Sequence, residues 1–265
     1  MIWSALIWFF VAFVSLSLFG AIFVFKQESS KLNLFLSRLF PLLANLVLLS
    51  FTVILWLQLE RPPMKTMAET RLLYAVFVGM VTWIIVFKTK SKWMYFLGYT
   101  MSAVFLLVDL LHPEYQQKNL MPALQSVWFI PHVVVYMISY AVLGAACLSA
   151  LKGLWGLHRK KAIWQNDLDL AMNLVYPGTA LLTIGMLLGA IWAKIAWGNY
   201  WSFDPKETWA LLTWLFYIIT IHIHYAFPKR QKLILWMLSL SFLVLIITWL
   251  GIRFVPAAMQ SIHVY

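Results

Sequence analysis

Apolar residues run along this chain in long blocks, not in alternation. Eight stretches each hold about 20 such residues, enough to cross a bilayer as an α-helix: 3–25, 40–59, 70–87, 93–111, 131–151, 175–196, 207–227 and 233–252. The continuity of the runs argues against membrane β-strands, which alternate. Pro41, Pro131 and Pro205 lie near span starts, where a missing N–H costs little, and Pro228 follows the seventh span. The pattern predicts an all-α, polytopic membrane protein forming one integral domain over residues 1–265. No internal repeat is visible, and the predicted loops are too short for a soluble domain.

Composition strengthens that reading. Hydrophobic residues make up 63% of the chain, charged residues 11%, and the mean hydropathy is +0.83. A soluble domain carries about twice that charged fraction. The first stretch has no basic leader region or small-residue cleavage site and reads as a retained helix.

The net charge of +11 does not signal nucleic acid, because the cations cluster in short loops. Lys26, Lys31, Arg38, Lys88, Lys90, Lys92, Lys152, Arg159, Lys160, Lys161, Lys229, Arg230 and Lys232 fall on one side, thirteen in all. Arg61, Lys65, Arg71, Lys118, Lys206 and Arg253 fall on the other, with Lys194 inside a span. The positive-inside rule then places both termini, and the loops at 197–206 and before Pro131, on the outer side.

Cys147 is the only cysteine. The chain therefore has no disulfide framework and no CxxC pair, and any thiol chemistry has to use a partner's cysteines.

Six histidines remain to be placed. His158 precedes "RKK" as a basic loop residue, and His112 precedes Pro113 at the outer end of the fourth span. His132 opens the fifth span just after Pro131, while His263 lies in the outer tail; both sit on one side and can meet a ligand between them. His222 and His224 lie within the seventh span, where an ionisable group is a functional candidate by default. At two positions apart they point about 200° from one another, so at most one is a strong ligand candidate. His222 lies roughly 26 Å along the helix from Pro205, toward the inner half.

"WGNYWSFDPKETW" at 197–209 is the densest polar and aromatic cluster. Asp204, Pro205 and Glu207 make a helix start with a capping box, a role that needs no ligand. Trp197, Tyr200, Trp201, Phe203 and Trp209 exceed what an interfacial aromatic belt requires. A flat anionic ligand suits them, with Lys206 for a carboxylate. Haem is such a ligand, and histidine is one of its usual axial partners.

The segment 197–214, "WGNYWSFDPKETWALLTW", resembles the tryptophan-rich WWD signature of the haem-handling proteins of cytochrome c biogenesis. It is closest to the CcsA/ResC branch, with the pattern W-G-x-Y-W-x-W-D-P-K-E-T-W-A-L. "PHV" at 131–133, the histidine after "WLFY" and the terminal "H-x-Y" add to the resemblance, which spans roughly 125 to the end. The resemblance implies that His132 and His263 are external axial ligands of haem b, with His222 a ligand within the membrane, preferred over His224. It assigns Trp197, Trp201 and Asp204 to the haem-contacting segment. Phe203 departs from the family's Trp, His224 from a common Arg, and "SIHVY" from "GLHSY".

The implied activity is that of the haem-channel half of a cytochrome c synthase, attaching haem to the CxxCH thiols of an apocytochrome. A CcsB/ResB-type membrane protein is the implied partner, alongside membrane lipid and with no nucleic acid. The implied location is a bacterial inner membrane with a periplasmic active face, in preference to the thylakoid. Two alternatives stand: a CcmC-type presenter that binds haem without attaching it, and a structural membrane subunit whose aromatics are only a belt.

Overall fold

In lipid, every backbone N–H and C=O needs an internal partner, which an uninterrupted α-helix supplies within one segment. The computed structural model describes residues 2–26, 30–89, 92–116, 126–159 and 164–251. Its eight long helices are α1 (Leu6–Phe25), α2 (Lys31–Leu59), α3 (Met67–Thr89), α4 (Lys92–Leu111), α5 (Phe129–His158), α6 (Trp164–Trp197), α7 (Pro205–Ala226) and α8 (Gln231–Ile246). Each is long and apolar enough to cross a membrane, α8 when the turn that continues it is counted, Gln231–Leu250, and no strand occurs among the described residues. The fold class read from the sequence is therefore the one found. A π-helical turn, Ile247–Gly251, continues α8.

Helix ends depart from the apolar blocks. α5 runs on to His158 and α6 begins at Trp164, so most of the predicted loop 152–174 is helical. α2 starts at Lys31, which puts Pro41 inside the helix and not near its start. A proline is tolerated in such a helix because neighbouring side chains satisfy the backbone around it. The carbonyl that the proline ring deprives of its usual N–H is that of Ser37; the Pro41 carbonyl itself also accepts from the Tyr99 hydroxyl at 3.1 Å, a bond between α2 and α4.

The chain forms two compact units, Met1–Leu120 and Met121–Tyr265. Within the first, α1 packs on α2 and α4, and α3 packs on α2 and α4. Its core is built from Leu6, Phe13, Leu48, Phe51, Leu55 and Leu106, all fully buried. Small residues allow the close approach: a side chain at Gly98 would strike Thr82, and one at Gly79 would strike Asn45. Two of the cations assigned to the outer side are neutralised here. Arg61 pairs with Glu69 at 2.8 Å, and Arg71 with Asp109 at 2.6 Å.

The second unit repeats the scheme, with α5 against α6 and α8, and α7 against the same two helices. Lys152 and Asp167 pair at 2.6 Å across the α5–α6 turn. At the far end of α5 from that pair stands His132.

Candidate haem-binding site

His132 lies in the first turn of α5 and reaches across to α6. Its Nδ1 is 2.8 Å from the carbonyl oxygen of Gly185. A carbonyl only accepts, so Nδ1 carries the proton and donates, and in the neutral ring Nε2 holds the lone pair. Glycines make this approach possible. An added Cβ at Gly189 would come within 2.6 Å of His132 Cε1, and one at Gly185 within 2.7 Å of Tyr136 Cδ1.

Aromatic rings line up on either side of the imidazole. Trp192 stacks on it at 5.6 Å between centroids and 24° between planes, and Tyr136 meets it edge-on at 4.6 Å. Beyond Trp192 stands Trp197, at 4.8 Å; beyond Tyr136 stand Tyr140, at 5.4 Å, and then Trp249, at 5.7 Å. The ladder therefore joins the opening of the aromatic segment, two faces of α5–α6 and the π-helical turn after α8. The single hydroxyl proton of Thr248 in that turn is shared between the carbonyls of Val244, at 2.9 Å, and Trp209, at 3.2 Å, bringing α8 against the start of α7.

The aromatic segment has a definite shape. α6 ends at Trp197, and Gly198 follows in the left-handed region at φ 86°, its carbonyl accepting from Lys194 Nζ at 2.6 Å. Asp204 then caps α7 in a complete capping box with Glu207, as the residue order predicts. Glu207 does more than cap. Its Oε2 accepts from the N–H groups of Ser202, at 2.8 Å, and Asp204, at 3.2 Å. Between these two N–H groups, Phe203 sits at φ 56°, a conformation that non-glycine residues rarely adopt. Its ring is 73% exposed and meets Trp201 edge-on at 6.2 Å. Tyr200 is also exposed, with Lys194 Nζ 5.5 Å from its ring centroid.

The two membrane histidines differ. His222 Nδ1 donates to the Ile218 carbonyl at 2.8 Å within α7, and the residue is exposed. It shares that outward stripe with Leu212, Leu215, Phe216 and Ile219. His224 is half-buried, with a buried Nδ1 that meets no hydrogen-bonding atom and a ring edge-on to Tyr225. His222 stands near the opposite end of α7 from Asp204, so the structure does not bring it to His132. His263 lies outside the described residues. His112 bonds Glu114 at 2.8 Å in the first unit, where donation from its own backbone N–H and from His112 holds the Glu114 carboxyl below its usual range.

Gly185, Gly189, Trp192, Tyr136, Tyr140 and Trp249 did not emerge as site residues from the sequence. Two signals were present: the tyrosines follow His132 at four-residue steps on one helix face, and the glycines are one turn apart in "GMLLG". The donors and rings assembled here fit an iron porphyrin. An imidazole with its Nδ1–H committed to a backbone carbonyl offers Nε2 to a metal, and its aromatic neighbours suit a flat macrocycle.

Known proteins resemble this chain over most of its length. Residues 3–260 match the family described as Cytochrome C assembly protein. The cytochrome c biogenesis protein CcsA of Cyanophora paradoxa is 28% identical over 307 aligned positions, covering 96% of this chain and 94% of that one. CcsA of Pyropia yezoensis is 32% identical, covering 85% and 87%, respectively. CcsA of Chlamydomonas reinhardtii is 40% identical over 56% of this chain and 44% of its own. Among solved structures, the cytochrome c haem lyase CcmF superposes with a TM-score of 0.68 at 16% identity, covering 98% of this chain and 49% of that one, a likeness of fold. With matches over nearly its whole length, this chain belongs to the family of cytochrome c assembly proteins.

Proposed function

We propose that this protein is the haem-handling membrane subunit of a cytochrome c synthase. The observation that carries the reading is the His132 imidazole, held by its Nδ1–H to the Gly185 carbonyl and flanked by Trp192 and Tyr136. That hydrogen bond fixes the tautomer and orients Nε2 as an iron ligand. His263 is the second external ligand. It follows Gly251 by about a dozen residues, a reach of up to roughly 40 Å if extended.

The residues of the outer site position and do not transfer protons. His132 and His263 hold the iron, the aromatic segment covers one face of the macrocycle, and Asp204 with Glu207 holds that segment in shape. Bound haem b supplies vinyl groups, and each apocytochrome CxxCH thiol adds S–H across one vinyl C=C. A C–S and a C–H bond form, with no net change of oxidation state. Alignment of the reacting groups is the main contribution of such a site.

His222 is the ligand within the membrane. Its Nδ1–H is satisfied inside α7, and its exposure on an apolar stripe supports a second ligand supplied by a CcsB/ResB-type partner. The charge asymmetry supports an outer active face. The proposed location is an energy-transducing membrane, bacterial inner or thylakoid.

The test is the haem that co-purifies with the full-length protein. His132→Ala and His263→Ala are each expected to reduce its visible absorption and cytochrome c maturation. Unchanged maturation in both variants overturns the reading. Reconstitution with an apocytochrome separates synthase from presenter: thioether formation supports the synthase, and haem release without attachment supports a CcmC-type role.

A further inference from the structure

We propose that Gly185 and Gly189 are positioning residues whose notch in α6 sets the orientation and donor strength of the His132 imidazole. This rests on the reading of His132 as an iron ligand. A glycine inside a helix costs about 1 kcal/mol relative to alanine, so two of them one turn apart call for a compensating contact. For Gly189 that contact is the imidazole; for Gly185 it is the Tyr136 ring, which meets the imidazole edge-on at 4.6 Å. The imidazole lies so close to α6 that a methyl group at Gly189 would fall 2.6 Å from Cε1 and 2.8 Å from Nδ1. One turn back, the Gly185 carbonyl accepts the Nδ1 proton at 2.8 Å. Trp192, on the same helix, closes the cradle by stacking on the ring at 5.6 Å.

The consequence is electronic as well as steric. Donation of Nδ1–H to a carbonyl makes Nε2 a stronger donor, which favours ferric over ferrous iron. A ring pushed off its carbonyl is a weaker and misdirected ligand. Such outer partners are worth about 10–100-fold in ligand affinity.

Gly189→Ala in the full-length protein tests this, with bound haem read by its visible spectrum and reduction midpoint. The expected result is haem retention about 10–100-fold weaker, with a midpoint shifted to higher potential. Gly178→Ala is the control, since its methyl would crowd Leu143 at an equal 2.6 Å but touch no ligand. It is expected to lower thermal stability while leaving spectrum and midpoint unchanged.

His132→Gly with added imidazole completes a cycle. There the added imidazole is not tied to α5 and can shift away from the Gly189 methyl, so His132→Gly/Gly189→Ala should regain haem with imidazole as fully as His132→Gly alone. A wild-type spectrum and midpoint in Gly189→Ala, with haem lost in His132→Gly, overturns the cradle and leaves the ligand reading intact. A wild-type spectrum in His132→Gly without imidazole overturns the ligand reading itself. Should Gly189→Ala fail to accumulate, the double variant decides: accumulation supports action through the His132 ring, and failure overturns it.

Discussion

The two units differ in the ionisable side chains they take inside their helices, while hydroxyls bond backbone in both: Ser102 that of Ala75 in the first, Ser139 that of Gly178 in the second. In the first unit the ionisable groups answer one another, Arg71 and Asp109 pairing at 2.6 Å with almost no exposure. In the second, the half-buried His132 between α5 and α6 bonds the Gly185 carbonyl. A charge pair closes on itself and presents nothing outward. An imidazole bonded to a carbonyl through Nδ1 is held in the tautomer that the proposed iron ligation by Nε2 needs. The first arrangement suits a scaffold and the second a site.

The sharpest way to break that contrast is to remove one charge. Asp109→Ala leaves the Arg71 guanidinium buried and uncompensated, which costs about 3–5 kcal/mol and should lower the thermal midpoint in detergent more than any other change considered. Replacing both partners, as Arg71→Met/Asp109→Leu, should restore stability to near wild type. The pair is incompletely satisfied, with Arg71 Nη2 and Asp109 Oδ2 both lacking partners, and apolar replacement of such pairs is often neutral. Haem retention in the stable double variant should match wild type. A loss there would show that the pair serves the site and that the division between the units is wrong.

What the sequence revealed follows the range of the interactions involved. The eight spans were legible because hydropathy is summed over one segment, and the capping box at Asp204 and Glu207 because all its parts lie within four residues. Helix ends were less so. The polar ends of α5 and α6 continue as helix beyond the apolar blocks, since backbone bonding does not stop where hydrophobicity does. His132 stood out by its place after Pro131, but its partner Gly185 lies 53 residues away, and no local pattern joins them. Likewise nothing local showed that Glu207, besides capping α7, gathers the N–H groups on both sides of Phe203.

That dual role gives the next prediction. Glu207→Ala removes the acceptor of the Ser202 and Asp204 N–H groups and leaves the Asp204 side chain on the Lys206 N–H, which costs about 1–2 kcal/mol. An ordinary capping residue would show that modest loss of stability and nothing else. Here the same carboxylate also shapes the aromatic segment, so haem retention should fall alongside it. Stability loss with wild-type haem content would return Glu207 to a purely structural role.

The smallest change in energy offers the cleanest comparison, because among the described residues each unit has one non-glycine residue in the left-handed region: Glu60 at φ 52° after α2, and Phe203 at φ 56° before α7. Glycine relieves such strain, worth about 1–2 kcal/mol, but loosens the unfolded chain by about 0.4–1 kcal/mol, for a net gain of about 0.5 kcal/mol. Glu60→Gly should therefore raise the thermal midpoint slightly and leave haem binding unchanged, since that position serves only to end a helix. Phe203→Gly should give a similar gain, as its ring is mostly exposed and buries little. Yet it should lower haem retention, because there the strain holds an aromatic face outward beside Trp201. Equal haem binding in both variants would mean that the strained presentation of Phe203 is incidental, and that a ring at this position is not needed to hold the ligand.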